Sequence, residues 1–239
     1  MKYGVMILSS ETTGPNSDRF NRYLRSFLWI DDIILVIDDL ASHEEGSYQW
    51  LWHPIGTTVK KGVDLDIRNG KAHVVLRQLY PETLAPSDFI HDYPSNMTWE
   101  IHNAPGEDNK GDQPYYSFHL PKRHDRVKGG TALILDPESQ PEIERRKGDG
   151  WIGVRIKSHD KITDVYINQL ADGRLMHMNS WINPDGWNTD AYITALTYSD
   201  DKQALQHRPS RHIIIYGSRL RHGNSDPLYS ELKKNNKIW

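Results

Sequence analysis

Four tryptophans stand in two short groups with polar neighbours suited to gripping a sugar. Trp50-Leu51-Trp52-His53 places two indoles on one side of an extended segment with an imidazole beside them, and Trp181-Ile182-Asn183-Pro184-Asp185-Gly186-Trp187-Asn188 frames a loop with two more. Indole faces stack on the apolar faces of sugar rings, while Asn, Asp and His serve hydroxyls. The alternative at each group is burial: Trp50 and Trp52 under a sheet, Trp181 and Trp187 in a core. Tryptophan and tyrosine number 8 and 12 against 4 phenylalanines, so most rings carry a polar handle and favour half-wet places such as clefts and interfaces.

Other chemistries lack their parts. Without cysteine there is no thiolate nucleophile, thiolate metal site or disulfide. The 12 histidines contain no H-x-H pair, and His43-Glu44-Glu45 has no histidine four places on, so no metal or cofactor is assigned. Gly129-Gly130 and Gly148-Asp149-Gly150 match neither phosphate-binding loop, and there is no G-x-S-x-G elbow. Asp38 and Asp39 follow an apolar run, but neighbours on a strand face opposite ways and do not share a site. A net charge of −3 with mixed signs lacks the basic face of a nucleic-acid binder. No apolar stretch approaches a membrane span, and the start of the chain is too short in apolar residues for a signal peptide.

The elements that must hold these groups are strands. Alternation over 63–67, an Asn69-Gly70 pair and a return over 72–76 predict a hairpin. A second is expected about 171–174, and further short strands at 33–37, 98–102, 115–120, 131–135, 151–156, 191–198 and 212–216. Stretches 104–113, 121–130 and 136–150 read as long loops. The expected fold is all-β: an antiparallel sandwich of two packed, twisted sheets with little helix, one domain over 1–225 and a tail over 226–239. One segment dissents. Phe20, Tyr23, Leu24, Phe27 and Leu28 have the spacing of an amphipathic helix.

Several stretches in order resemble a known family. The run Arg19 to Arg25, the apolar strand 33–37 ending in Asp38-Asp39, and Trp50-Leu51-Trp52-His53 are similar to a succession in the heparinase II/III-like polysaccharide lyases. Thr131 to Pro137, and Trp187-Asn188-Thr189-Asp190-Ala191, resemble later strands of the same family. The resemblance covers about residues 10–200 and concerns the C-terminal β-sandwich. It implies a strand, not a helix, at 20–28.

In that family a helical toroid precedes the sandwich, and uronic-acid polysaccharides are cleaved by β-elimination, which needs carboxylate neutralisation, a base and an acid. The family takes these groups from the toroid and from early sandwich strands. Residues 1–18 hold no histidine, so no catalytic or metal residue is carried over. The implied role is an accessory domain walling one side of an acidic-polysaccharide cleft beside a toroid of the same parent chain, in the periplasm or outside the cell. Arg22, Arg25 and His53 would meet uronate or sulfate, and Trp52, Trp181 and Trp187 the sugar side of the cleft. Two alternatives stay open: a stand-alone carbohydrate-binding or protein-docking sandwich, and a free-standing lyase or hydrolase on a jelly roll.

Overall fold

The computed structural model describes residues 3–9, 20–46, 48–80, 99–106, 111–119, 124–171 and 179–223. The chain divides into two compact units, Met1–Glu138 and Ser139–Trp239. The division falls inside the span expected as one domain, and each unit has its own sheets and its own apolar cluster.

Unit 1 contains β1 (Tyr3–Ser9), β2 (Phe20–Ile30), β3 (Ile33–Gly46), β4 (Gln49–Trp52), β5 (Thr57–Lys61), β6 (Asp64–Asn69), β7 (Ala72–Tyr80), β8 (Glu100–Pro105), β9 (Asp112–His119) and β10 (His124–Ile134). Seven form an antiparallel sheet in the order β1-β2-β3-β10-β7-β6-β5, and β4-β9-β8 form a second. Leu40, Leu65 and Leu76 from the large sheet meet Trp50, Tyr116 and Phe118 from the small one, giving two layers around one core. Trp50 stacks on Phe118 with centroids 4.9 Å apart. It also lies so close to β10 that a Cβ on Gly129 would fall 2.7 Å from the indole. The first glycine of the pair that matched no phosphate loop leaves room for this approach.

Residues 20–28 are strand. Leu24, Ser26, Leu28 and Ile30 alternate into a buried face, while Tyr23 packs against the core cluster from the other. With apolar side chains wanted on both faces, a strand shows the same spacing as a helical stripe, and the long pairing with β3 decides the matter. The hairpin of β6 and β7 forms as expected, shifted by one residue: Asn69 still pairs with Ala72, and Gly70, at φ 59°, begins the turn.

Unit 2 contains β11 (Glu142–Gly148), β12 (Trp151–Ser158), β13 (Lys161–Asn168), β14 (Trp187–Thr189), β15 (Ile193–Tyr198), α1 (Asp201–Leu205), β16 (Arg211–Ile215) and β17 (Leu220–His222). An antiparallel sheet β11-β12-β13-β15-β16 packs against a two-stranded ribbon β14-β17, with Trp151, Tyr166 and Leu196 meeting Trp187 and Leu220. Asp200 caps α1 by accepting from the Gln203 amide at 2.7 Å. Among the described residues no helix is long and apolar enough to cross a membrane.

The three expected loops shrink. β8 and β9 close over Gly106 and Gly111, β10 begins at His124, and β11 takes Glu142–Gly148 out of 136–150. β11 reads Glu-Ile-Glu-Arg-Arg-Lys-Gly, a charged edge strand with almost no apolar pattern. The expected hairpin about 171–174 and the tail over 226–239 lie largely or wholly outside the described residues.

Candidate functional site

β17 is three residues long and is anchored to the core by its first residue. Leu220 is fully buried, and strand alternation sends Arg219 and Arg221 to the opposite side, where both are exposed. The ribbon pairs Leu220 with Thr189, Arg221 with Asn188 and His222 with Trp187. The approach to β17 is fixed by Asp190, itself buried. Its carboxylate accepts from the Ser218 amide at 2.9 Å, the Arg219 amide at 2.8 Å and the Ser218 hydroxyl at 2.5 Å. A carboxylate closing a turn on two amides is a strong tie, because charge assistance shortens and strengthens each bond.

Trp181 reaches the same place from the other end of the loop. Ile182 is buried and exchanges two backbone bonds with Thr189, 3.0 and 3.1 Å, so its neighbour Trp181 projects outward and stays 43% exposed. The guanidinium carbons of Arg219 and Arg221 lie 5.6 and 5.7 Å from the indole centroid. Among the described residues neither guanidinium has a carboxylate partner. Beside them, Asn183 donates its amide to Asn188 at 2.9 Å. Two arginines resting on one ring are held in place by cation–π attraction, and their N–H edges remain free for an oxyanion. The group can take a carboxylate or sulfate carried on a ring, with side-chain amides near for hydroxyls.

The loop is latched from behind. Asp185, at φ 50°, binds both Arg146 nitrogens at 2.9 Å and accepts from the Tyr166 hydroxyl at 2.7 Å. Burial, with Asp164 and Asp185 nearby, raises the Tyr166 phenol far above its ordinary range and keeps it a donor. Arg155 closes on Asp164 with two bonds of 2.7 Å.

The other expected contacts are placed differently. Arg22 binds buried Asp39 at 2.7 Å, with Lys128 3.2 Å from the second Asp39 oxygen. Arg25 grips Asp38 at 2.6 and 3.0 Å, and Trp50 donates its indole N–H to the same carboxylate at 2.9 Å. The bond to Asp38 holds Arg25 above its already high range. The two aspartates face opposite sides of β3, as alternation requires, and each takes up an arginine expected to meet the ligand. Trp52 is half-buried against the core of unit 1. Trp187 is 2% exposed and offers no ring face. His53 is exposed and stacks on Tyr115 at 5.3 Å, which stacks on His102 at 4.7 Å. Behind this row, His102 shares a 2.8 Å bond with buried Ser117, and burial lowers the imidazole and raises neighbouring Glu100. No group of three or more His, Asp or Glu able to hold a metal occurs among the described residues.

Of the six expected residues only Trp181 belongs to the exposed cationic group. Arg219 and Arg221 were missed because they lie beyond the span of the family resemblance; the one signal was Arg-Leu-Arg, an apolar residue between two charges.

No protein-family model matches the chain, and no curated protein matches it in sequence. Among solved structures it is similar to a heparan sulfate lyase from Pedobacter heparinus, with 14% identity and a TM-score of 0.49 over 71% of this chain and 27% of that one. It is also similar to two heparinase III structures. One has 10% identity and a TM-score of 0.46 over 82% of this chain and 25% of that one. The other has 9% and 0.46 over 70% and 27%. The chain spans about a quarter of the length of these structures.

Proposed function

We propose that the chain is an accessory β-sandwich region of a heparinase II/III-type polysaccharide lyase, and that it binds acidic polysaccharide, such as a glycosaminoglycan or alginate, through Trp181, Arg219 and Arg221. The observation that carries this reading is a pair of exposed guanidiniums on one exposed indole with no carboxylate partner among the described residues. A surface arginine with no acidic partner, held on an aromatic ring, is suited to a uronate or sulfate on a sugar. The ordered motifs about residues 10–200 support the lyase parent. Catalysis would reside in a helical toroid of that parent, outside the cytoplasm. Arg22 and Arg25 serve in this reading as internal ties between strands.

Calorimetric titration with heparin, alginate and chondroitin sulfate tests it. Binding that weakens steeply with salt and is lost in Arg219→Ala/Arg221→Ala is the expected result. Absence of binding to all three would refute the polysaccharide role. Growth of the ultraviolet absorbance of unsaturated uronates with this chain alone would refute the accessory assignment.

A further inference from the structure

β17 ends on His222, whose ring lies against that of His207, centroids 3.8 Å apart and planes 18° from parallel. His207 follows α1 and takes a φ of 52°, in the left-handed region, so the chain bends to bring this ring onto the ribbon. Trp187 meets both rings edge-on, His222 at 5.1 Å and His207 at 6.4 Å. Gly186 makes room: a Cβ there would fall 2.9 Å from His222 Nε2. The Gly223 amide then closes the ribbon on the Gly186 carbonyl at 3.0 Å.

Several charged or titratable groups of the described residues lie near the pair in space or in the chain. Asp185 on the loop bonds to His222 through its backbone, while its carboxylate is engaged by Arg146 and Tyr166. Arg221 precedes His222 and turns to Trp181. Arg208 follows His207 in the chain, α1 carries Asp201 and Lys202, and β15 carries Tyr198. Burial first, and His207 second, hold His222 below the ordinary imidazole value of 6.5, while the Asp185 bond opposes them. One imidazolium stacks well on a neutral imidazole; two at this separation repel.

We propose that the His207–His222 stack is a proton-operated latch on the end of the β14–β17 ribbon, which acidification opens, loosening the strand that presents Arg219 and Arg221. Its effect on ligand capture rests on the polysaccharide-binding reading above; its opening does not. Added positive charge alone would strengthen a polyanion complex in acid, so the latch predicts the opposite sign.

The test compares the wild-type chain with His207→Phe, which keeps a ring on His222 but cannot be protonated. Heparin affinity of the wild type is expected to fall roughly tenfold between about pH 7.5 and about pH 5, and that of His207→Phe to hold or rise. In parallel, hydrogen exchange of the Gly223 amide, corrected for its intrinsic pH dependence, is expected to lose protection in acid in the wild type alone. Where heparin binds, unchanged or stronger wild-type binding in acid, or equal behaviour of the two chains, overturns the proposal. If heparin binds neither chain at either pH, the polysaccharide reading fails, and Gly223 exchange decides the latch: loss of protection in the wild type alone supports it, and any other pattern overturns it.

Discussion

Arg25 and Asp38 stand directly opposite each other on β2 and β3, and the guanidinium closes on the carboxylate with two bonds of 2.6 and 3.0 Å. Asp38 is 3% exposed and also receives the indole N–H of Trp50. The pair therefore couples the strand register to the seating of an indole in the unit 1 core.

Arg25→Ala leaves Asp38 buried without its cation. With Arg25 partly in water the loss is expected at about 2–3 kcal/mol, below the range for fully buried pairs. Urea unfolding measures it, and heparin affinity at neutral pH should stay within twofold of wild type.

Gly129→Ala drives a methyl into the Trp50 indole. Overpacking of this kind costs about 1–3 kcal/mol. The Trp50–Phe118 stack should also change, read as an altered near-ultraviolet circular dichroism band with the far-ultraviolet spectrum retained.

Asp190→Ala removes the acceptor of three bonds that shape the entry to β17. A destabilisation of about 2–4 kcal/mol is expected. The milder Asp190→Asn should keep the fold and weaken heparin binding with no change in the charge of the arginines, a result that separates positioning from electrostatics.

Glu100→Gln tests the buried end of β8. Burial raises the Glu100 carboxyl above its ordinary 4.5, so the folded chain holds that proton more tightly than the unfolded one. Its contribution is therefore present below pH 4.5 and lost as pH rises through the folded value. Glu100→Gln should raise stability at neutral pH and have a smaller effect near pH 4. His102, held below 6.5 by burial, acts in the opposite sense: stability falls as pH drops below 6.5. Thermal melts across pH check both.

Strands with one apolar face, or with apolar residues throughout, were legible from the sequence. The 63–76 hairpin and the runs at 33–37 and 151–156 announced themselves by period two or by β-branched density. β11 did not, since an edge strand facing water needs no apolar pattern. The stripe at 20–28 misled for the converse reason, apolar residues on both faces of one strand. Site residues were harder. An arginine as the third or sixth residue of a strand looks the same whether it meets a ligand or an aspartate, and only the cross-strand partners Asp38 and Asp39 distinguish the cases. Trp181 and Trp187, in one loop, differ in the same way: the buried neighbour Ile182 turns one outward, and the ribbon turns the other in.

The Asp190 carboxylate has a kinetic meaning as well. It sets the course of the chain into β17 before any ligand arrives, and the indole already carries both guanidiniums. On the polysaccharide-binding proposal, capture then needs no slow ordering step. Association should appear as a single phase whose rate rises linearly with polysaccharide concentration and falls with ionic strength, and differences in affinity among ligands should lie in how fast they leave.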